Sequence, residues 1–172
     1  GREMHGDALP DVYGGFGTSL RFYGVDFSIG FTYQLGGQVL DQGYRFYMNS
    51  PAGTSTGNNY HHDLLNSWTP ENSGSNIPRF AYNDSNQAAV SDRFLTSASY
   101  LNIQNITLGY TLPKRITRKF LVENLRIYLA CDNVWYWSKR QGLDPRQSIN
   151  GITNPYYYAP IRTFSGGVTV TF

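Results

Sequence analysis

Apolar and polar residues alternate without a break over Thr163-Phe-Ser-Gly-Gly-Val-Thr-Val-Thr-Phe172. Phe164, Gly166, Val168, Val170 and Phe172 fall on one face, and Thr163, Ser165, Gly167, Thr169 and Thr171 on the other. A period of two is the signature of a β-strand. Val25-Asp-Phe-Ser-Ile-Gly-Phe-Thr-Tyr-Gln-Leu35 repeats it more cleanly: odd positions are apolar or aromatic, and even ones are Asp26, Ser28, Gly30, Thr32 and Gln34. Before it, residues 12–22 place Val12, Phe16, Leu20 and Phe22 on one side and Tyr13, Gly15, Gly17, Ser19 and Arg21 on the other. Tyr23-Gly24 between these runs reads as a two-residue hairpin turn, with Gly24 supplying the needed φ freedom.

Two further strands follow a long interval. Over residues 100–110 the alternation slips, because Leu101 and Ile103 are odd whereas Ile106, Leu108 and Tyr110 are even. Either a bulge sits near Gln104–Asn105, or Leu101 and Ile103 face inward towards other protein. Residues 125–137 set Leu125, Ile127, Leu129 and Cys131 against Arg126, Tyr128 and Asp132 and finish in Trp135-Tyr136-Trp137, as an aromatic girdle would. Between them, Leu112-Pro113 breaks the third strand, and residues 114–123 form a turn with one possible helical turn. Residues 138–162 read as loop.

Residues 38–97 are polar and rich in Asn, Ser, Gly and Pro. One short helix is expected at 59–68, starting on the capping Asn59, spacing Leu64, Leu65 and Trp68 by three and four, and stopping at Pro70. A connection of roughly sixty residues is out of place in a compact soluble domain but ordinary on the outer face of a membrane barrel. The strands run to about eleven residues, and roughly 9–11 tilted residues cross an outer membrane. Their connections alternate short and long, with turns at 23–24 and 111–124 expected on the periplasmic side and loops 36–99 and 138–162 outside. The expected fold class is therefore all-β, an antiparallel transmembrane barrel segment. Five strands cannot close, since the smallest such barrels have eight, so the remaining strands must come from upstream sequence or another chain.

Composition agrees with this picture. The 172 residues are 16% aromatic, with 14 Tyr and 18 Gly, and only 15% charged, against about a quarter in ordinary domains. A net charge of +2 is too small to argue for nucleic acid. The single Cys131 excludes an internal disulfide. No apolar run is long enough for a transmembrane helix, and Gly1-Arg-Glu-Met-His opens without the apolar core of a signal peptide, so if the protein is exported its signal is expected upstream of residue 1.

Several blocks resemble one family. They are residues 8–19 (ALPDVYGGFGTS), 92–113 (DRFLTSASYLNIQNITLGYTLP), Leu125-Arg-Ile-Tyr with Asp132-Asn-Val, Gly142-Leu-Asp-Pro145, and Pro160-Ile-Arg-Thr-Phe164 with the terminal Phe172. In this order they resemble the C-terminal end of SusC/RagA-type TonB-dependent outer-membrane transporters. Residues 38–80 lie outside the resemblance. It implies the last five strands of a 22-stranded barrel with an N-terminal plug, in the outer membrane of a Bacteroidetes-type Gram-negative bacterium. It implies a SusD-like surface lipoprotein as lid, TonB acting through the plug, and oligosaccharide or peptide as imported ligand. No cofactor is expected. A soluble β-sandwich carbohydrate-binding module, or an outer-membrane barrel of another purpose such as an adhesin, protease or passive porin, would be the alternatives.

Candidate site residues follow from these placements. Arg21, Asp26, Arg126 and Asp132 fall on the lumen faces of their strands, because an Arg at mid-depth in lipid costs about 2–4 kcal/mol; they are expected to pair with one another or with the plug. Tyr60 and Trp68 in the first long loop, and Tyr156, Tyr157 and Tyr158 in the second, are ligand-contact candidates, since aromatic faces stack on sugar rings and peptide side chains; packing against a lid, or a girdle role for 156–158, would use the same residues. Phe172 is the expected assembly signal. Lys114, Arg115, Arg118 and Lys119 beside Phe120 read as a solvated periplasmic turn near lipid headgroups rather than a nucleic-acid patch. Asp144 and Arg146 flank Pro145 in what reads as ordinary turn chemistry. His61-His62, with His5 the only other histidine, lacks metal-ligand spacing. No catalytic triad, carboxylate pair or phosphate loop is present, so no enzyme is expected.

Overall fold

The computed structural model describes residues 5–51, 57–84, 86–140, 142–147, 150–154, 156 and 158–172. Its frame is one antiparallel sheet of five long strands: β1 (Val12–Phe22), β2 (Val25–Leu35), β5 (Tyr100–Thr111), β6 (Asn124–Ser138) and β7 (Thr163–Thr171). Their order in the sheet is β1-β2-β5-β6-β7, so each long strand pairs with the next in the chain. Between β2 and β5 lie β3 (Gln38–Leu40), α1 (Gln42–Tyr47) and β4 (Leu95–Ser97); α2 (Lys114–Thr117) lies in the β5–β6 turn.

The β1–β2 hairpin closes on Phe22↔Val25. Tyr23 and Gly24 both have positive φ, 47° and 85°, the conformation of a type I′ turn whose twist suits adjoining strands. Gly24 has a second reason to be glycine, since a Cβ there would lie 2.6 Å from the Thr111 carbonyl oxygen.

The slipped alternation in β5 is a bulge. Phe31 pairs with Ile103 and Gly30 with Asn105, so Gln104 is an extra residue relative to β2. The bulge restores the phase: Leu101 and Ile103 lie opposite Tyr33 and Phe31, while Ile106 and Leu108 lie opposite Ile29 and Phe27. All four apolar residues therefore share one face. On the other side, Ile103 pairs with Trp135 and Asn105 with Asp132, so β6 carries an extra residue too. Asn133 sits there with φ 50°, a left-handed conformation that Asn tolerates better than most residues.

The sheet has no core of its own. The buried hydrophobic residues among those described are Val39, Leu40, Met48, Phe94 and Ala98, and none lies in a long strand. Phe16, Leu20, Leu108, Leu129, Phe164 and Val168 are exposed on the apolar face, where Phe16 stacks on Phe31 at 4.8 Å between centroids. The buried positions of β5 are Asn102 and Gly109, on the opposite face. This reverses the pattern of a half-buried soluble strand, and it suits a lipid-facing wall. A soluble sandwich needs a second sheet against the apolar face, whereas the other sheet among the described residues is the three-residue pair β3–β4. No helix among the described residues is long and apolar enough to cross a membrane, which says nothing of crossing by strands.

The described residues of 38–97 gather around a small core of their own rather than forming a plain polar connection. Phe94, Met48 and Leu40 form its core, with Tyr44, Leu64, Ile77 and Leu95 packed around them. Asp41 caps α1, its carboxylate accepting from the Tyr44 N–H at 2.9 Å. The helix expected over 59–68 is reduced to a 3-10 turn, His62–Asn66, capped by His61 rather than Asn59. Leu64 reaches the core, whereas Leu65 stays exposed, so a full amphipathic helix has no second apolar contact to hold it.

Candidate functional site at the loop end of the sheet

Both long loops lie at one end of the sheet, and they are bonded together. The Leu40 N–H donates to the Gly151 carbonyl at 2.7 Å, and the Thr153 N–H donates back to the Leu40 carbonyl at 3.1 Å. The Gln42 N–H donates to Thr153 Oγ1 at 3.1 Å. Arg140, just past β6, lies 3.4 Å from the Asp41 carboxylate and over the Tyr44 ring at 4.1 Å.

These contacts enclose a cleft of about 500 Å³ whose lining includes Tyr44, Tyr47, His61, Asp63, Arg140 and Asn154. Its polar groups are largely committed to one another. The Tyr44 hydroxyl donates to Asp63 at 2.7 Å, and its ring meets His61 edge-on. Burial first, then the bond to Asp63, pushes the Tyr44 phenol up to about 12, so it remains a neutral donor at any physiological pH. His61 Nδ1 accepts from the Asp63 N–H at 3.1 Å and thus serves as a cap. What remains free for a ligand is chiefly aromatic surface and the edges of these polar groups.

Asp144 also lines this cleft, and the structure changes its reading. It is buried and holds the Arg146 guanidinium through both carboxylate oxygens, at 2.8 and 2.7 Å. Arg146 lies over the Tyr136 ring of β6 at 5.0 Å, and its bond to Asp144 raises its pKa. The turn chemistry is real, with the Arg146 N–H donating to Asp144 Oδ1, but the pair also fastens the second loop to the wall.

The expected ligand aromatics are not gathered at one place. Tyr60 packs against Phe80 at 5.6 Å, and Trp68 donates its backbone N–H to the Ile77 carbonyl at 2.8 Å. Neither lines the main cleft. Tyr156, 78% exposed, borders a second cleft of about 450 Å³ with Arg45, Phe46 and Asn49. Tyr158 is 97% exposed. Tyr157 lies outside the described residues. Sequence reasoning passed over Tyr44 and Tyr47; their spacing of three behind the capping Asp41 was the available signal.

On the polar face of the sheet, Asp26 and Arg126 form a two-pronged ion pair, and Arg21 stands directly across from Asp26 in the β1–β2 ladder. Asp132 lies on the same face, opposite Asn105 and Thr163. No group of His, Cys, Asp and Glu that could hold a metal occurs among the described residues. Phe172 is exposed and continues the apolar row of β7.

No family model matches the chain. Similarity to individual proteins covers nearly all of it. The TonB-dependent receptor P3 of Formosa agariphila is 26% identical over 99% of this chain and 17% of its own length. The TonB-dependent receptor SusC of Bacteroides thetaiotaomicron is 28% identical over 94% of this chain and 15% of its own. The structure of the RagAB peptide transporter superimposes with a TM-score of 0.82 at 24% identity, over 98% of this chain and 18% of that one. The chain thus spans about one sixth of the proteins it resembles. These relatives are named as receptors, in line with the expectation of a non-enzyme. The chain is thus similar to SusC-type TonB-dependent receptors, and its sheet has the fold of a segment of a larger β-barrel.

Proposed function

We propose that this chain is part of a TonB-dependent nutrient importer in the outer membrane of a Bacteroidetes-type bacterium. It supplies barrel wall and two loops that receive the ligand outside the cell. The observation that carries this reading is the sheet's division of labour: apolar side chains stand uncovered on one face, while two long loops fold over a cleft at one end. The hairpin turn and the α2 turn, at the other end, then lie in the periplasm. The missing strands and the plug belong to the rest of the transporter, and TonB acts through the plug. A SusD-like lipoprotein closes over the loops, with exposed Tyr156 and Tyr158 on the surface it meets.

The ligand is an oligosaccharide or a peptide that stacks on aromatic rings. Tyr44 and Tyr47 in the main cleft and Tyr156 in the second take that role. Arg21, Asp26, Arg126 and Asp132 shape the polar lumen wall, and Phe172 contributes to recognition during assembly. The test is uptake of fluorescently labelled oligosaccharide and oligopeptide pools by cells carrying the full-length transporter. Uptake of one pool should need TonB and should fall at least fivefold in Y44A/Y47A. Uptake of neither pool, or uptake indifferent to TonB, would contradict the proposal.

A further inference from the structure

At the end of the sheet away from the loops, the β5–β6 turn gathers apolar surface and charge without ion-pair partners among the described residues. α2 (Lys114–Thr117) continues into a 3-10 turn, Arg118–Phe120. Thr117 is buried against the sheet end, and the neighbouring positions splay around it. Lys114, Arg115, Arg118 and Lys119 are all exposed, and none forms an ion pair among the described residues. Glu123 is the single acid between Thr111 and Asn124. Ile116 and Phe120, four apart, fall on one flank of the helical turn. Phe120 is 72% exposed, and Leu121, turned out in a left-handed conformation with φ 58°, is 89% exposed.

The four cations are well hydrated in plain water but repel one another, and the three bare apolar side chains beside them are not; one boundary suits both. Basic residues at a membrane surface are drawn to anionic headgroups, while apolar neighbours sink into the acyl boundary. The turn stands where such a boundary falls. Tyr110 and Leu125, its immediate flanks, are positions of the apolar sheet face, with Tyr110 opposite Val25 and Ile127. Across the same end, Phe22 and Tyr23 add exposed rings in edge-on contact at 4.3 Å.

We propose that the β5–β6 turn is an interfacial anchor for anionic phospholipid. Lys114, Arg115, Arg118 and Lys119 hold the headgroup phosphates, and Ile116, Phe120 and Leu121 enter the acyl boundary. The inference rests on the reading of the sheet as a membrane barrel.

The test uses the full-length transporter in mild detergent, exposed to equal amounts of phosphatidylglycerol and phosphatidylcholine, with retained lipid counted by native mass spectrometry. Phosphatidylglycerol should be retained at least tenfold over phosphatidylcholine. The variant K114Q/R115Q/R118Q/K119Q should lose that preference, F120S/L121S should lose retention of both lipids, and added salt should reproduce the first effect. An unchanged preference in the charge variant overturns the anchor. So does full competition by inorganic phosphate, which would mark a plain anion site. Heat-modifiable gel migration of the same samples reports the barrel: its presence with no lipid preference sinks this inference alone, and its absence in the unsubstituted protein sinks both readings.

Discussion

Arg126 reaches over the backbone of Gly109 to Asp26, with Nε 3.1 Å from Oδ1 and the second guanidinium nitrogen on Oδ2. Asp26 is on β2, Gly109 on β5 and Arg126 on β6, so one ion pair spans three strands. Gly109 makes the crossing possible, since a Cβ there would collide with both partners. Arg126 also lies over the Tyr128 ring at 5.3 Å. Replacing Asp26 leaves Arg126 without its carboxylate, and replacing Arg126 leaves Asp26 with only Arg21 across the β1–β2 ladder. D26N and R126Q should each lower the unfolding temperature of the full-length barrel, and the double variant should lose less than the sum. G109V should resemble the single charge variants. Additive losses in the double variant would show that the pair contributes no coupling.

Tyr44 ties α1 to the 3-10 turn through Asp63, and its phenol is pushed up to about 12. The unfolded chain releases this proton near 10, so the contribution is whole below that pH and is lost as pH rises through the folded value. Y44F removes the bond and should cost about 1 kcal/mol of loop stability at neutral pH. It should also abolish one late step in the tyrosinate absorbance titration, read as a difference from the unsubstituted protein. An identical titration curve would place Tyr44 in water.

Asp144 is buried, and Arg146 is its partner through two oxygens. Removing the carboxylate leaves Arg146 uncompensated between the loop and Tyr136. D144A should destabilise the second loop by about 2 kcal/mol, a roughly thirtyfold rise in its open population. Tryptic cleavage at Lys139 and Arg140 should accelerate accordingly. Equal cleavage rates would mean that the pair does not fasten the loop.

Gln104 carries the phase of β5. With it deleted, Leu101 and Ile103 would turn to the polar face and Asn102 to the apolar one. Deletion should abolish heat-modifiable barrel, whereas Q104A should leave the yield unchanged. A normal yield after deletion would contradict the register.

How much of this was legible in the sequence depended on repetition. The long strands alternate over nine to fifteen residues, long enough for a period of two to stand out. The slip between Ile103 and Ile106 was visible too, but a choice between bulge and inward-facing residues needed the partners Phe31 and Trp135, which local sequence does not contain. The loop unit left a fainter trace. Its core joins Leu40, Met48 and Phe94 across a polar interval, and β3 and β4 have three residues each, too few for periodicity. The cleft was hidden for the same reason, because Tyr44 meets Arg140 only after both loops have folded. Asp144 read as turn chemistry because its other determinant, Tyr136 beneath Arg146, belongs to a strand.

The central claim is that one face of these five strands meets lipid and the other a polar lumen, with the phase reversing in β5 at Gln104. Single nitroxide labels at positions 101 to 108 of the full-length protein, with Cys131 replaced by Ser and the protein in bilayers, test it directly. The labels are scored for contact with lipid-soluble oxygen against a water-soluble nickel complex. The account predicts oxygen contact at 101, 103, 106 and 108 and nickel contact at 102, 105 and 107. Unbroken alternation through 104 would contradict the bulge, and nickel contact at every position would contradict the membrane wall.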